Sequence, residues 1–182
     1  MRFRSSWLIP ALSLVVSASF ASAQTPLKID EMKLRKTWFE AARLPDKKQK
    51  QCTANPAGLW ARGDKARQMR WTWFCTDKGG HMETHAVTAT GSKEMDGNYK
   101  SAFLYIFHRK YQILAVADDS SWLLLGSPNH KRLWLYTASP TPSSEAVESM
   151  KQKAATMGYD VSRLMQQPQT NPPKEQIAQD PS

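Results

Sequence analysis

Residues 111–138, YQILAVADDSSWLLLGSPNHKRLWLYTA, hold three short apolar runs divided by two polar turns. Tyr111–Ala117, Trp122–Gly126 and Arg132–Ala138 are too short for helices and end abruptly. Asp118-Asp119-Ser120-Ser121 and Ser127-Pro128-Asn129-His130 separate them with residues that favour tight turns. Connections this short join antiparallel neighbours, because a parallel pair needs a crossover of a dozen residues or more. The stretch therefore predicts three antiparallel strands in a row.

The same rhythm continues upstream. Thr37–Arg43, Gln68–Thr76, Met82–Thr90 and Ser101–His108 alternate or run apolar over strand lengths, with Asp77-Lys78-Gly79-Gly80, Gly91 through Gly97-Asn98, and Arg109-Lys110 as separators. Residues 53–67 carry Asn55-Pro56, Gly58 and Gly63-Asp64, and read either as loop or as a short strand around Leu59–Arg62. After Pro140 the period changes. Ser143 and Glu145 supply a cap and early negative charge, Ala146, Val147, Met150, Ala154 and Met157 recur at helical spacing, and Gly158 stops the run, so a helix is expected over 143–157. Residues 159–164 suit a short returning strand. The Pro- and Gln-rich composition of 166–182 predicts a disordered tail. The fold class is all-β with one C-terminal α-helix, and the strand number suits either a sandwich or a closed barrel.

The first residues follow another logic. Arg2 and Arg4 precede an apolar stretch from Trp7 to Phe20 and the small residues Ala21-Ser22-Ala23, the three parts of a secretory signal peptide, which assigns 1–23 to a cleaved leader and 24–165 to one folded domain. Gln24 stands where a lipid-modified precursor would have cysteine, so a soluble periplasmic or secreted product is expected. Loss of Arg2 and Arg4 takes the formal charge from +9 to +7, which favours anionic surfaces, and contact with an anionic membrane is one such partner. Nucleic acid is disfavoured by export. In an oxidising compartment Cys52 and Cys75 are expected to pair, a bridge worth about 3 kcal/mol in the chain-entropy model.

Two parts of the sequence resemble the lipocalin family. Leu34-Arg35-Lys36-Thr37-Trp38-Phe39-Glu40 is similar to the family's Gly-x-Trp opening. Tyr111–Val116, Leu123–Pro128, Leu133–Tyr136, Ser139-Pro140-Thr141 and Gly158–Ser162 follow the order of the C-terminal half of bacterial lipocalins. The resemblance implies an antiparallel, up-and-down, eight-stranded β-barrel (calyx) that encloses an apolar ligand of fatty acid or lysolipid type, as a monomer or weak dimer without a cofactor. The departures are specific. Lys36 replaces the family's glycine, Ala117 its aspartate (Asp119 is kept), Ser120 a common tyrosine, and Ala138 the arginine that packs over the signature tryptophan. Trp38 is therefore expected to close one end of the barrel without a cationic lid.

Candidate ligand contacts follow from alternation along strands. Trp38 and Glu40 share a face, on which Ala42 would also fall; Glu40 reads either as a ligand contact or as a carboxylate paired to an internal arginine. Trp71 with Trp73, and Trp134 with Tyr136, form two more aromatic pairs. Phe103, Tyr105 and Phe107 are assigned inward, leaving Ala102, Leu104 and Ile106 to pack beneath the helix. If the rings fill the barrel completely, the protein is an interaction module for an envelope partner or anionic lipid surface rather than a carrier. His81 and His85 on one strand would stand about 13 Å apart, too far to share a metal ion. The sequence shows neither Gly-x-Ser-x-Gly nor Ser-x-x-Lys, and no enzyme is expected.

Overall fold

The structure, a computed structural model, describes residues 28–103 and 107–174, without the side chains of Lys48, Phe103 and Phe107. Eight antiparallel strands follow one another: β1 Thr37–Arg43, β2 Ala54–Arg62, β3 Gln68–Thr76, β4 Met82–Gly91, β5 Asn98–Phe103, β6 Phe107–Val116, β7 Trp122–Gly126 and β8 Leu133–Thr137. Each pairs with the next, and β1 pairs with both β8 and β2, which closes the sheet into an up-and-down barrel. Closure leaves no continuous edge to solvent. A helix, α1 Ser144–Thr156, follows the barrel, and a two-residue strand, β9 Met165–Gln166, lies against β1.

Two apolar layers hold the fold. Inside the barrel, Trp38, Trp60, Met69, Trp71, Ile113, Leu123, Leu125 and Tyr136 form a fully buried cluster. Ile29 and Leu34, carried by the segment that crosses the closed end, join it. Outside, Leu124, Leu133 and Leu135 meet Met150 and Ala154 of α1. The helix begins where Ser143 Oγ accepts the Ala146 N–H at 3.1 Å, and Gly158 follows its end at φ +84°, a backbone angle that glycine adopts without strain. Its seat is on β7 and β8, because their outward leucines offer the apolar surface its stripe requires. The expected seat beneath Ala102 is therefore corrected, since Ala102 lies at a cavity wall instead. Just beyond the helix, Tyr159 donates its hydroxyl to Ser127 O at 3.0 Å and passes so close to Gly126 that a Cβ there would meet it.

Four local expectations change. Residues 54–62 form a full nine-residue strand despite Pro56 and Gly58. The register shifts between Ala54 and Ala57, so the proline, which has no N–H to donate, sits in a bulge rather than in the regular ladder. Arg109 and Lys110 are interior to β6 and pair with Ser101 and Lys100; the chain reverses instead between Phe103 and Phe107, which pair with each other. Residues 159–164 contain a 3₁₀ turn, Val161–Arg163, and the returning strand is β9. Residues 166–174, assigned by composition to a disordered tail, run along the barrel wall: Asn55 N–H donates to Pro168 O at 2.8 Å, Asn171 N–H to Asn55 Oδ1 at 2.8 Å, and the Gln169 amide to the carbonyls of Glu40 and Pro56.

Candidate functional site: a cavity at the open end of the barrel

The strand directions give the barrel two different ends. At the closed end Trp38 donates its indole N–H to Leu34 O at 2.9 Å, and its ring lies 6.2 Å from Trp60. Trp60 lies 5.1 Å from Trp71, and Trp71 meets Tyr111 edge-on at 5.1 Å. These rings fill the lower interior. Lys36 sets its ammonium 4.6 Å above the centre of the Trp38 ring while donating to Ser120 O at 2.7 Å. Trp38 thus keeps a cationic lid. The expectation that it had lost one is corrected, because the charge comes from Lys36, two residues along the same chain, rather than from position 138.

Above the rings the barrel is not filled. A cavity of about 600 Å³ opens at the end where β1 finishes and β2 begins. Trp73, Trp134, Tyr111, Ala57 and Val87 give it apolar walls, and the Cys52–Cys75 bridge forms part of its lining. The two cysteine Cα atoms are 5.4 Å apart, as the expected disulfide requires. The bridge ties the 44–53 connection to the end of β3. That connection is held from inside as well: Trp134 Nε1 donates to Gln49 Oε1 at 3.1 Å, and Arg132 Nε lies 3.1 Å from Asp46 Oδ2. Polar groups at the cavity include Arg109, Arg132, His85, Glu83 and Asp46.

Glu40 stands at the boundary between rings and cavity. It is 1 % exposed and takes a 2.6 Å hydrogen bond from Arg43, whose guanidinium also donates to Gln49 O at 3.2 Å. Strict alternation would place residues 40 and 43 on opposite faces. A bulge after Glu40, where Ala42 pairs with Leu135 directly after Glu40 pairs with Tyr136, turns Arg43 inward and sends Ala42 out beneath α1. Ala42 therefore does not share the face of Trp38, and Glu40 is paired to an internal arginine while also lining the cavity. Burial raises the Glu40 carboxyl from 4.5 to about 7, while the charge and hydrogen bond of Arg43 oppose the rise. Burial, with Glu40 adding to it, likewise pushes the Tyr136 hydroxyl well above its ordinary value.

Of the expected contact residues, Glu40, Trp73 and Trp134 line the cavity. Trp38, Trp71 and Tyr136 are enclosed in the ring cluster rather than on the wall, although Tyr136 accepts the Trp73 indole N–H at 2.8 Å and so fixes that ring at the cavity floor. Gly58 leaves room for this arrangement, since a Cβ there would lie 3.2 Å from both Trp60 and Trp73. Tyr105 and the side chains of Phe103 and Phe107 fall outside what the structure describes. Tyr111, His85, Arg109 and Arg132 were not among the expected contacts, and His85 was weighed only as a metal ligand. His85 is signalled only by its register opposite Trp73, and Arg109 only by its two-residue offset from Tyr111, once the true turn is known. Among the described residues no group of three or more His, Cys, Asp or Glu converges to hold a metal ion.

A closed eight-stranded antiparallel barrel, with one helix after it and an internal cavity at one end, defines the calyx class of small-ligand-binding proteins. A family model for the lipocalin-like domain matches residues 29–169, and the chain belongs to that family. It is 23% identical over 129 residues to the outer membrane lipoprotein Blc of Vibrio cholerae, covering 70% of this chain and 75% of that protein. With the Blc of Escherichia coli K12 it shares 24% over 134 residues, covering 72% and 76%. Among solved structures it resembles insecticyanin from the tobacco hornworm Manduca sexta, with a TM-score of 0.63, 14% identity and coverage of 80% of this chain and 83% of that one. These relatives support a divergent bacterial lipocalin-like protein, and the family is one that binds and transports small hydrophobic molecules.

Proposed function

We propose that the protein carries one fatty acid or lysophospholipid in its cavity, within the cell envelope. The observation that carries this reading is the cavity itself, a space of about 600 Å³ with aromatic and aliphatic walls above a floor of packed rings, and with arginines among the charged groups of both signs on its lining. That volume falls in the usual range for small-molecule sites. The acyl chain lies against Trp73, Trp134, Tyr111 and Val87, where its transfer from water is favourable by about 0.8 kcal/mol per methylene. The acidic head remains near Arg109 and Arg132, where its charge stays partly hydrated. The alternative of a barrel filled throughout with rings is less well supported, because the rings occupy only the closed half. A leader-like N-terminus and relatives named as outer membrane lipoproteins support the envelope location.

The test is displacement of a fluorescent fatty acid, joined to native mass spectrometry of the purified protein. Saturable displacement by a fatty acid or lysolipid is expected, with one lipid per chain. Val87→Trp, which fills the cavity from β4, is expected to weaken binding at least tenfold while thermal stability stays close to wild type. Absence of both retained and titratable lipid would sink the carrier reading.

A further inference from the structure

The barrel is electrically polarised along its axis, and the polarity follows the strand directions. Three connections at the open end, residues 44–53, 77–81 and 127–132, contain six lysines and arginines against two aspartates. Both aspartates have local partners: Asp46 pairs with Arg132, and Asp77 accepts backbone N–H groups from Gly79 and His81. Three hairpin connections at the closed end, residues 63–67, 92–97 and 117–121, contain three basic residues against five acidic ones. The segment that crosses the closed end adds Lys28, Lys33, Arg35 and Lys36 against Asp30 and Glu31, so the closed end is balanced in formal charge while the open end presents net positive charge.

The positive groups are distributed around the rim rather than gathered in a cleft. Lys47, Lys50, Lys78 and Lys131 are all exposed and come from three different connections. Beside Lys78, Met82 is 71% exposed at the first residue of β4. Among the described residues β4 pairs with β5 through Ala89–Gly91, and nearer the open end β4 lines the cavity with Glu83, His85 and Val87. A broad cationic ring around an apolar opening, with an apolar side chain at its rim, matches a flat anionic surface with an apolar layer beneath it.

We propose that the open end docks on an anionic phospholipid bilayer, mouth towards the lipid, so that the ligand passes between cavity and membrane without crossing bulk water. The docking stands on the charge distribution; its purpose rests on the carrier reading above. A folded acidic protein would instead call for charges concentrated on one side of the mouth.

Co-sedimentation tests it, with vesicles of phosphatidylcholine alone and of phosphatidylcholine mixed equally with phosphatidylglycerol. Binding is expected to the mixed vesicles alone, and is expected to vanish in 1 M salt, where the screening length falls to about 3 Å. Each lysine near such a surface contributes about fivefold in partitioning. Lys47→Glu/Lys78→Glu/Lys131→Glu should therefore lower binding by on the order of 100-fold or more, whereas Lys65→Glu/Lys93→Glu at the closed end should change it by less than about tenfold. Unchanged thermal melts establish that both variants are folded. Equal losses in the two variants, or no binding to the mixed vesicles, overturn the proposal, as does capture of an acidic protein by a chain that ignores both vesicles. Fatty acid displacement without vesicles reads the carrier function separately. Docking that persists without ligand binding leaves this proposal standing and removes the carrier reading; ligand binding without docking does the reverse.

Discussion

The two ends of this barrel are made from the same residue types and put them to different use. At the closed end Trp38, Trp60 and Trp71 are fully enclosed and touch one another. At the open end Trp73, two residues beyond Trp71 on the same strand, is half-buried at the edge of a cavity. The difference lies in what stands beside each ring on the two neighbouring strands. Trp71 faces Trp60 across one ladder and Val87 across the other, while Trp73 faces Gly58 and the exposed His85. A glycine on one side and an exposed histidine on the other leave the upper ring without a full set of neighbours, and the space they do not fill becomes the site. Both ends bear a polar cost: at the closed end the indole N–H groups of Trp60 and Trp71 are buried without a hydrogen-bond partner, and towards the open end so is Arg43 Nε.

The contrast is broken or sharpened most strongly by removing one ring from each end. Trp60→Ala takes away a fully enclosed side chain that touches Trp38, Trp71 and Tyr136, and is expected to cost about 3–5 kcal/mol in urea unfolding. Trp73→Ala removes a half-exposed ring from the cavity floor and should cost about 1–2 kcal/mol, at the low end for core truncation because the site is already open. Its main effect should be on fatty acid affinity. Equal destabilisation by the two substitutions, with affinity untouched, would mean that the two ends do not divide the work in this way.

How much of this was legible in the sequence depends on how sharply turn and polar residues bound each segment. β1, β3 and β7 were read with the bounds they have in the fold, since Pro45, Asp77-Lys78-Gly79-Gly80, Asp118-Asp119-Ser120-Ser121 and Ser127-Pro128 mark where those runs start or stop. β2 was hidden by Pro56 and Gly58, residues that usually end strands; one is accommodated by a bulge and the other is required by the tryptophans beside it. The hairpin between β5 and β6 was misplaced because Phe103, Tyr105 and Phe107 keep the same two-residue spacing across the reversal. Alternation alone does not mark where such a run turns back. The site was about half legible. Trp73 and Trp134 announced themselves as alternating aromatics, but Arg43 points inward only because of a bulge after Glu40, and no local feature of TWFEAAR signals it. Residues 166–174 lie against the barrel although composition assigned them to a disordered tail, because composition says nothing of a single glutamine amide bridging two strand carbonyls; residues 175–182 of that tail lie outside the described residues.

Glu40 lies where the two ends meet, and its titration gives the second prediction. Its carboxyl is raised by burial from 4.5 to about 7, so between those values the folded protein keeps a proton that the unfolded chain has released. The contribution to stability is present in full below about pH 4.5 and is lost as pH rises to about 7, by about 3 kcal/mol at most, with no further change above. Asp77, Asp96 and Asp119 are shifted downward, so their linkage acts below this window. Glu40→Gln keeps the shape and removes the titration. Urea unfolding at half-unit steps across the window should show the wild-type stability falling with pH and the variant's staying level. The same slope in both would mean that Glu40 does not titrate there.

The smallest effect concerns the closed end alone, where the chain departs from the lipocalins it resembles by having Lys36 and Ala138 in place of their glycine and arginine. Lys36 places its ammonium over Trp38, and Ala138 packs beside the same ring cluster. Lys36 thus supplies at the Trp38 ring the cation that the resemblance assigned to position 138. Lys36→Gly should cost about 1–2 kcal/mol, combining a lost cation–π contact with the greater freedom of glycine in the unfolded chain. Ala138→Arg alone should gain nothing, since it brings a second cation to a ring already covered by one. In the double variant the arginine should recover part of the lost stability, giving a favourable coupling of about 0.5–1 kcal/mol in a double-mutant cycle. If Ala138→Arg has the same effect whether residue 36 is lysine or glycine, the lysine is only a strand residue that happens to lie near the ring, and the closed end holds together by ring packing alone.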